Sequence, residues 1–254
     1  MSGHSKWANI KHKKEATDKK KGQAFSKLAK EIMVATKMGG KDPASNIKLR
    51  MALASARAAN MPRDNIERAI KKGAGELGDV VYEEITYEGY GPCGTGFIVE
   101  CLTDNKNRTI CDVRMTLERN GGNLAASGAV ARMFQRKCHF VIEGENADEE
   151  KLMDLVLDAG ADDLTVEDGV AEIWGAPEVF ADIAKVLEDA GIDCTEANVT
   201  RQPDITVPIA DVSKAQQVIR LTDRLEELDD VQSVYSNDEI AADVMEKIDA
   251  MDED

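Results

Sequence analysis

From Gln23 to Lys37 the apolar side chains Phe25, Leu28, Ala29 and Ile32 recur at spacings of three and four, the period of a helix with one buried face, and Gly39-Gly40 ends the pattern. A second helix is expected from an N-cap at Ser45, after Asp42-Pro43, through Ile47, Leu49, Leu53, Ala54 and Ala56 to Asn60. Pro62 sits where a helix begins, and Ile66 with Ile70 marks a short third helix that stops at Gly73. Gly73 to Asp79 then reads as a linker, and beyond it the period changes. Val80–Tyr87 and Gly96–Leu102 alternate like strands around a turn-rich Glu88 to Thr95. Asn105–Asn120 reads as a helix with Ile110, Val113 and Leu117 inward and Gly121-Gly122 as its stop, followed by a short strand at Ala129–Phe134.

The segment from Gln135 to Gln202 reads as strand (Cys138–Ile142), helix (Asp148–Ala159), strand (Leu164–Glu167), a tight Asp168-Gly169 turn, strand (Val170–Trp174), helix (Pro177–Ala190) and strand (Asp193–Val199). It repeats itself: the run from Val156 to Gly160 recurs from Val186 to Gly191, with each glycine in the C-cap role. Two βαβ halves are what a ferredoxin-like βαββαβ sandwich requires. Ile205–Ile209, a helix Val212–Leu228 and Val231–Ser236 form one more βαβ without a neighbouring partner, as does Gly96–Phe134. Pairing these two across the inserted segment gives a second ferredoxin-like fold from discontinuous sequence. The expected architecture is α+β and multidomain. It comprises a helical domain at 1–78 with an arm at 1–21, a discontinuous domain at 79–134 plus 203–240, an inserted domain at 135–202, and an acidic tail at 241–254.

Charge changes this picture more than composition does. With 254 residues, 43% hydrophobic and 31% charged, the chain is long enough for two or three cores, and no apolar run approaches the roughly 18–20 residues of a membrane span. The formal charge of −16 conceals a division. The first 72 residues hold 18 of the 32 Lys and Arg but only 6 of the 48 Asp and Glu, a net +12, which leaves −28 on the remainder. One end is built to meet polyphosphate and the rest to repel it. The opening residues carry no apolar stretch, and the five cysteines form no CxxC pair, so a cytoplasmic protein with reduced thiols is expected. Asn107-Arg108-Thr109 and Asn198-Val199-Thr200 are then chance matches to the glycosylation sequon.

Catalytic chemistry finds little support. Gly73, Gly75 and Gly78 spell GxGxxG, but here the motif follows a helix and precedes a strand, the reverse of a dinucleotide site. No Walker loop, GxSxG or HExxH occurs. His4 and His12 lie among lysines and His139 in an apolar strand, while Asp148-Glu149-Glu150 and Asp162-Asp163 sit where helix starts and loops want solvated acid. A non-enzyme without cofactor, metal or small-molecule substrate is the reading, and a monomer in the absence of any heptad repeat.

The basic head has a clear physical use. Lys6, Lys11, Lys13, Lys14, Lys19, Lys20 and Lys21 precede a helix bearing Lys27 and Lys30, and each ammonium that neutralises a phosphate releases condensed counterions. Trp7 and His12 among them could stack on unpaired bases, which favours RNA over duplex DNA. A solubilising tail with Trp7 packed on its own domain is the other reading of the same residues. Arg63, Asn65 and Arg68 on the third helix permit a helix-turn-helix reading, although acids stand beside them. Lys106, Arg108 and Arg114, at the start of the helix after Asn105, make a second candidate phosphate contact.

Several of these segments carry a resemblance. Gly3 to Lys14 (GHSKWANIKHKK), Met61 to Gly73 (MPRDNIERAIKKG), Tyr87 to Pro92 (YEGYGP), Asn107-Arg108-Thr109, Gly121 to Leu124 and Met133-Phe134 closely resemble the YebC family, in order along the whole chain. The resemblance implies a helical N-terminal domain and two α/β domains. It also implies one of two roles: DNA-binding transcriptional regulation, or action at the ribosome in translation, including synthesis through proline-rich stretches, as for the mitochondrial activator of cytochrome oxidase subunit I. Cys93 and Ala125 stand where the family usually has Gly. Three functional classes are therefore expected for this sequence: an RNA-binding translation factor, a DNA-binding regulator, and an acidic adaptor for a basic protein partner.

Overall fold

The computed structural model describes residues 18–78, 82–167 and 169–252, with the backbone alone at 18–21, 47, 249 and 252. The chain divides into two compact units, one formed by the segments up to Ala131 and from Thr206 onward, the other by Arg132–Ile205.

The first unit opens with three helices, α1 (Asp18–Gly39), α2 (Ile47–Ala58) and α3 (Arg63–Gly73). Their apolar stripes meet in one core containing Ile32, Met33, Leu49, Leu53, Ala56, Met61 and Ala69. The N-cap of α2 is Asn46 rather than Ser45. Asn46 Oδ1 accepts from the Leu49 amide at 3.1 Å, while its side-chain amide donates to the Ala35 and Gly40 carbonyls at 2.7 and 2.8 Å. One buried amide thus closes the end of α1 and the start of α2, a double duty a serine hydroxyl cannot perform. Gly73 is more than a helix stop: a Cβ there would lie 2.8 Å from Thr36 Cβ and nearer still to the Met33 carbonyl oxygen, so α1 and α3 approach closely because it has no side chain.

After α3 come β1 (Glu83–Tyr90), β2 (Gly96–Thr103), α4 (Lys106–Arg119) and the short β3 (Asn123–Leu124). The β1–β2 hairpin is in register from Glu83↔Thr103 to Tyr90↔Gly96. Val80 and Val81, where alternation places the start of this strand, lie outside the described residues, Tyr82 is not part of it, and the last residues of β1 pair with β3. The hairpin turn holds Cys93 at φ 62°, the left-handed region in which glycine is favoured. Glu88 on β1 is buried, and its carboxylate accepts the amides of Gly128, Val130 and Ala131 at 2.6–2.7 Å.

The second unit contains β4 (Phe134–Glu143), α5 (Glu149–Leu157), β5 (Ala161–Glu167), β6 (Val170–Gly175), α6 (Phe180–Asp189) and β7 (Glu196–Pro203). The sheet order β5-β6-β4-β7, antiparallel throughout, is the ferredoxin-like order. Gly160 and Gly191, the two repeat glycines, have φ of 91° and 69° just past α5 and α6. Phe140 stacks on Phe180 at 4.8 Å, and Ile142, Leu152, Val156, Ile173 and Ile183 are fully buried. The residues expected as a separate strand at Ala129–Phe134 contribute only Phe134, the first residue of β4. The turn expected at Asp168 lies outside the described residues.

The chain returns to the first unit through β8 (Val207–Ile209), α7 (Val212–Glu226), β9 (Val231–Ser236), β10 (Asp238–Ile240) and α8 (Ala242–Asp252). β9 pairs with β2, so the sheet order is β3-β1-β2-β9. Here the sequence expectation needs correction. Ile205–Ile209 does not supply the third strand of the split βαβ order; that slot is filled by β1, and β8 instead pairs in parallel with β10. A tight hairpin next to β2 is the local partner, and it is formed before any later strand arrives. The supposed acidic tail is also corrected: α8 buries Val244 and Ile248 in the core made by Phe97, Val99, Val113, Leu117, Val218, Leu221 and Leu225. An acidic helix with an apolar stripe reads as a tail when only its charge is counted.

Replacing Gly73 by Ala sets a Cβ against backbone of α1, and the resulting strain of roughly 1–3 kcal/mol exceeds the ~1 kcal/mol helix-propensity gain. A thermal midpoint lowered by a few degrees in Gly73→Ala is expected; an unchanged or raised midpoint would show that the two helices separate without cost.

Candidate nucleic-acid interface

Lys6, Trp7, Lys11, His12, Lys13 and Lys14 lie outside the described residues, and Lys19, Lys20 and Lys21 fall in the first turns of α1. Lys27 and Lys30, expected to face phosphate, point elsewhere. Lys27 Nζ donates to the Glu226 carbonyl at 2.7 Å, and Lys30 Nζ to the Asp229 carbonyl at 2.8 Å and Asp230 Oδ1 at 2.9 Å. Gln23 Nε2 donates to the Glu227 carbonyl at 3.1 Å. Side chains at i, i+4 and i+7 of α1 thus cap the C-terminal end of α7, where unpaired carbonyls and the helix dipole attract cations. Burial holds the Lys27 ammonium below its ordinary pKa despite the nearby Glu226 and Asp229.

Asp230 is the centre of this contact. Its Oδ2 accepts from Arg108 Nη2 at 2.7 Å, Arg108 Nε at 3.2 Å, Thr109 Oγ1 at 2.9 Å and Thr103 Oγ1 at 3.1 Å, while Oδ1 takes Lys30. The Asp230 side chain is 8% exposed and that of Lys30 13%. Burial raises the carboxyl pKa, but hydrogen bonds from Lys30, Arg108 and Thr109 overcome it and hold the group at about 2. Its hydrogen bonds to Asp230 and Asp104 raise Arg108 above its ordinary value.

The second cationic spot therefore does not assemble as a phosphate site. Arg108 is committed to Asp230 and to Asp104 at 2.8 Å, Lys106 pairs with Glu83, and Arg114 stands exposed on another part of α4. Carboxylates already occupy the positions a phosphate would need. A cleft of about 670 Å³ beside them is lined by Asp104, Asp112, Glu227, Asp229 and Asp230 against Lys30 and Arg108.

Arg63, Asn65 and Arg68 do not act as one recognition face. Arg63 pairs with Glu67 at 2.9 Å on the surface, whereas Asn65 and Arg68 line a cleft between α3 and α1. Arg50, Arg57 and Lys71 are exposed on the same helical domain. In the other unit His139 is buried, its Nε2 3.1 Å from Glu172 Oε2 and its ring stacked on Trp174 at 3.9 Å, which accounts for it as a packed residue. Among the described residues no group of three or more His, Cys, Asp or Glu is arranged to hold a metal ion, and no helix is long and apolar enough to cross a membrane.

Asp230 had a signal in the sequence that charge counting hides: acids just beyond a helix C-terminus are electrostatically unfavourable unless cations come to them. The cleft residues Phe25, Met33 and Lys72 had none.

Residues 5–76 match the family model of the TACO1/YebC protein N-terminal domain, and residues 82–238 that of the TACO1/YebC second and third domain. The chain belongs to the TACO1/YebC family. It is similar to a probable transcriptional regulatory protein of Treponema denticola, 53% identical over 94% of this chain and 97% of the relative. One of Geobacter sulfurreducens is 49% identical over 98% and 100%. Among solved structures, a conserved hypothetical protein of Aquifex aeolicus superposes with a TM-score of 0.82 at 46% identity, covering 93% of this chain and 97% of that one. The α+β multidomain fold of the family is thus the fold of this chain.

Asp230 ionises at about 2 against an ordinary 3.8, so its contribution is complete above pH ~4 and disappears as the pH falls from there towards ~2, on the order of 2 kcal/mol in all. Urea unfolding at neutral pH and at pH ~3 should show this loss in the native protein. Asp230→Asn, which leaves Lys30 without its counter-charge and Arg108 with Asp104 alone, should lower stability at neutral pH by about 3 kcal/mol and flatten the acid dependence; an unaltered dependence would move the acid sensitivity to other groups.

Proposed function

We propose that the protein is a non-enzymatic, nucleic-acid-binding regulator of gene expression that works in the cytoplasm, as a monomer, on RNA of the translation machinery. The observation that carries this reading is the division of charge, +12 on the first 72 residues and −28 on the rest. A bipolar molecule suits a ribosome, where RNA and basic proteins lie side by side, better than a long duplex that would meet acidic surface on either side of the contact. Because Lys27 and Lys30 are bonded to the end of α7, the phosphate contacts fall to the arm residues Lys6, Lys11, Lys13 and Lys14, to Lys19, Lys20 and Lys21, and to the exposed cations of α2 and α3. Trp7 and His12 add stacking on unpaired bases. Through the family resemblance, the reading extends to synthesis of proline-rich stretches.

A DNA-binding transcriptional regulator is the second reading, favoured by the name given to the relatives from Treponema denticola and Geobacter sulfurreducens. Co-sedimentation with ribosomes across a salt series, beside gel shifts on duplex DNA with the same preparation, separates the two. Sedimentation that weakens steeply with salt is expected. Replacing Lys11, Lys13 and Lys14 by Ala should reduce the logarithmic salt slope by roughly 0.7 per lost phosphate contact. Failure to sediment at low salt, together with preferential shift of one duplex, would establish the DNA reading instead.

A further inference from the structure

The cleft between α1 and α3 has two unlike walls. On α1, Phe25, Ala29 and Met33 lie at spacings of four, and Met61 joins them, so this wall is largely apolar, with the Ser26 hydroxyl as its one polar side chain. On α3, Asn65, Arg68 and Lys72 follow at spacings of three and four, so the facing wall carries an amide and two cations. The volume is about 420 Å³, inside the range of roughly 300–1,000 Å³ typical of ligand sites. Met33 and Met61 are buried and Phe25 is half-buried, while Arg68 is exposed at the rim. Among the described residues no carboxylate lines the cleft, in contrast to the acidic one beside Asp230.

From this juxtaposition we infer that the cleft is a nucleotide-binding site that takes one unpaired base of single-stranded RNA against Phe25, with the flanking phosphates on Arg68 and Lys72. The occupant must present a flat apolar face to one wall and negative charge to the other, and an unstacked nucleotide does both. Asn65, with a donor and an acceptor on one group, can meet the edge of any base, so contact comes with little sequence preference. Arg68 and Lys72 are one helical turn apart, on successive steps of the rim, where they follow a phosphate backbone rather than a single ion. The inference rests on the RNA reading above and adds to it a place where the base itself, and not only the backbone charge, is held.

The test uses the full-length protein and two fluorescently labelled probes of equal charge: an oligoadenylate of about 12 nucleotides and an abasic ribose-phosphate chain of the same length. Anisotropy titrations at fixed salt should show the oligoadenylate bound about tenfold more tightly, as one stacked base provides. Phe25→Leu keeps the apolar volume and removes the ring, so it should collapse this preference while leaving abasic binding unchanged. Asn65→Ala, at a half-exposed position with no fold to disturb, should narrow it. Arg68→Ala should weaken both probes alike and lower the salt slope by roughly 0.7. Equal binding of the two probes, or a preference undiminished in both Phe25→Leu and Asn65→Ala, would overturn the site while leaving RNA binding in place. Binding of neither probe would remove the RNA reading and the site together.

Discussion

The Asp230 carboxylate is the constraint on which the arrangement of the first unit depends. Buried and ionised, it is stable only because Lys30 from α1, Arg108 and Thr109 from α4, and Thr103 from β2 all converge on it. Its own backbone carbonyl accepts the Leu102 amide at 2.8 Å, so the residue that gathers the charges is also tied to the central hairpin. Helical domain and sheet are thereby held through one group. A carboxylate with so many donors fixes geometry more strictly than apolar contact would, since displacing any donor leaves a buried charge short of a partner.

That contact changes what the basic head means. Counted along the chain, Lys27 and Lys30 look like the lysines of the arm. Folded, they cap a helix terminus and neutralise an acid, and their role is architectural. Exposed cations stand at Lys37 on α1, Arg50 and Arg57 on α2 and Arg63, Arg68 and Lys71 on α3, and Arg68 and Lys72 flank a cleft with one largely apolar wall, so the cationic surface of the helical domain is chemically more particular than net charge implies.

How far the sequence could be read depended on the range of the interaction involved. The helices were legible because three-and-four periodicity and their stops are local, as at Phe25 to Ile32 and at Gly160 and Gly191. The βαββαβ unit was legible because its repeat announced it. The cap at Asn46 is not legible beside Ser45 because its deciding bonds run back to Ala35 and Gly40. Periodicity identifies β8 as a strand without naming its partner, and α8 reads as a tail because its acids outnumber the two residues that bury it. The Lys30–Asp230 pair was invisible for the same reason: 200 positions separate its members, and neither one's neighbours mention the other.

That separation also bears on how the protein is made. Gln23, Lys27 and Lys30 bond to residues 199–204 positions further along, past an entire inserted unit that folds on contacts of its own. Closing such a loop is entropically unfavourable and comes late, because the contacts that reward it do not exist until both ends are ordered. On a ribosome, the three helices and the inserted unit emerge and fold while α1 still shows Lys27 and Lys30 to solvent. Only when the chain is synthesised beyond Asp230 does the head acquire its final charge pattern, so a truncated nascent chain and the finished protein present different cationic surfaces to the same polyanion.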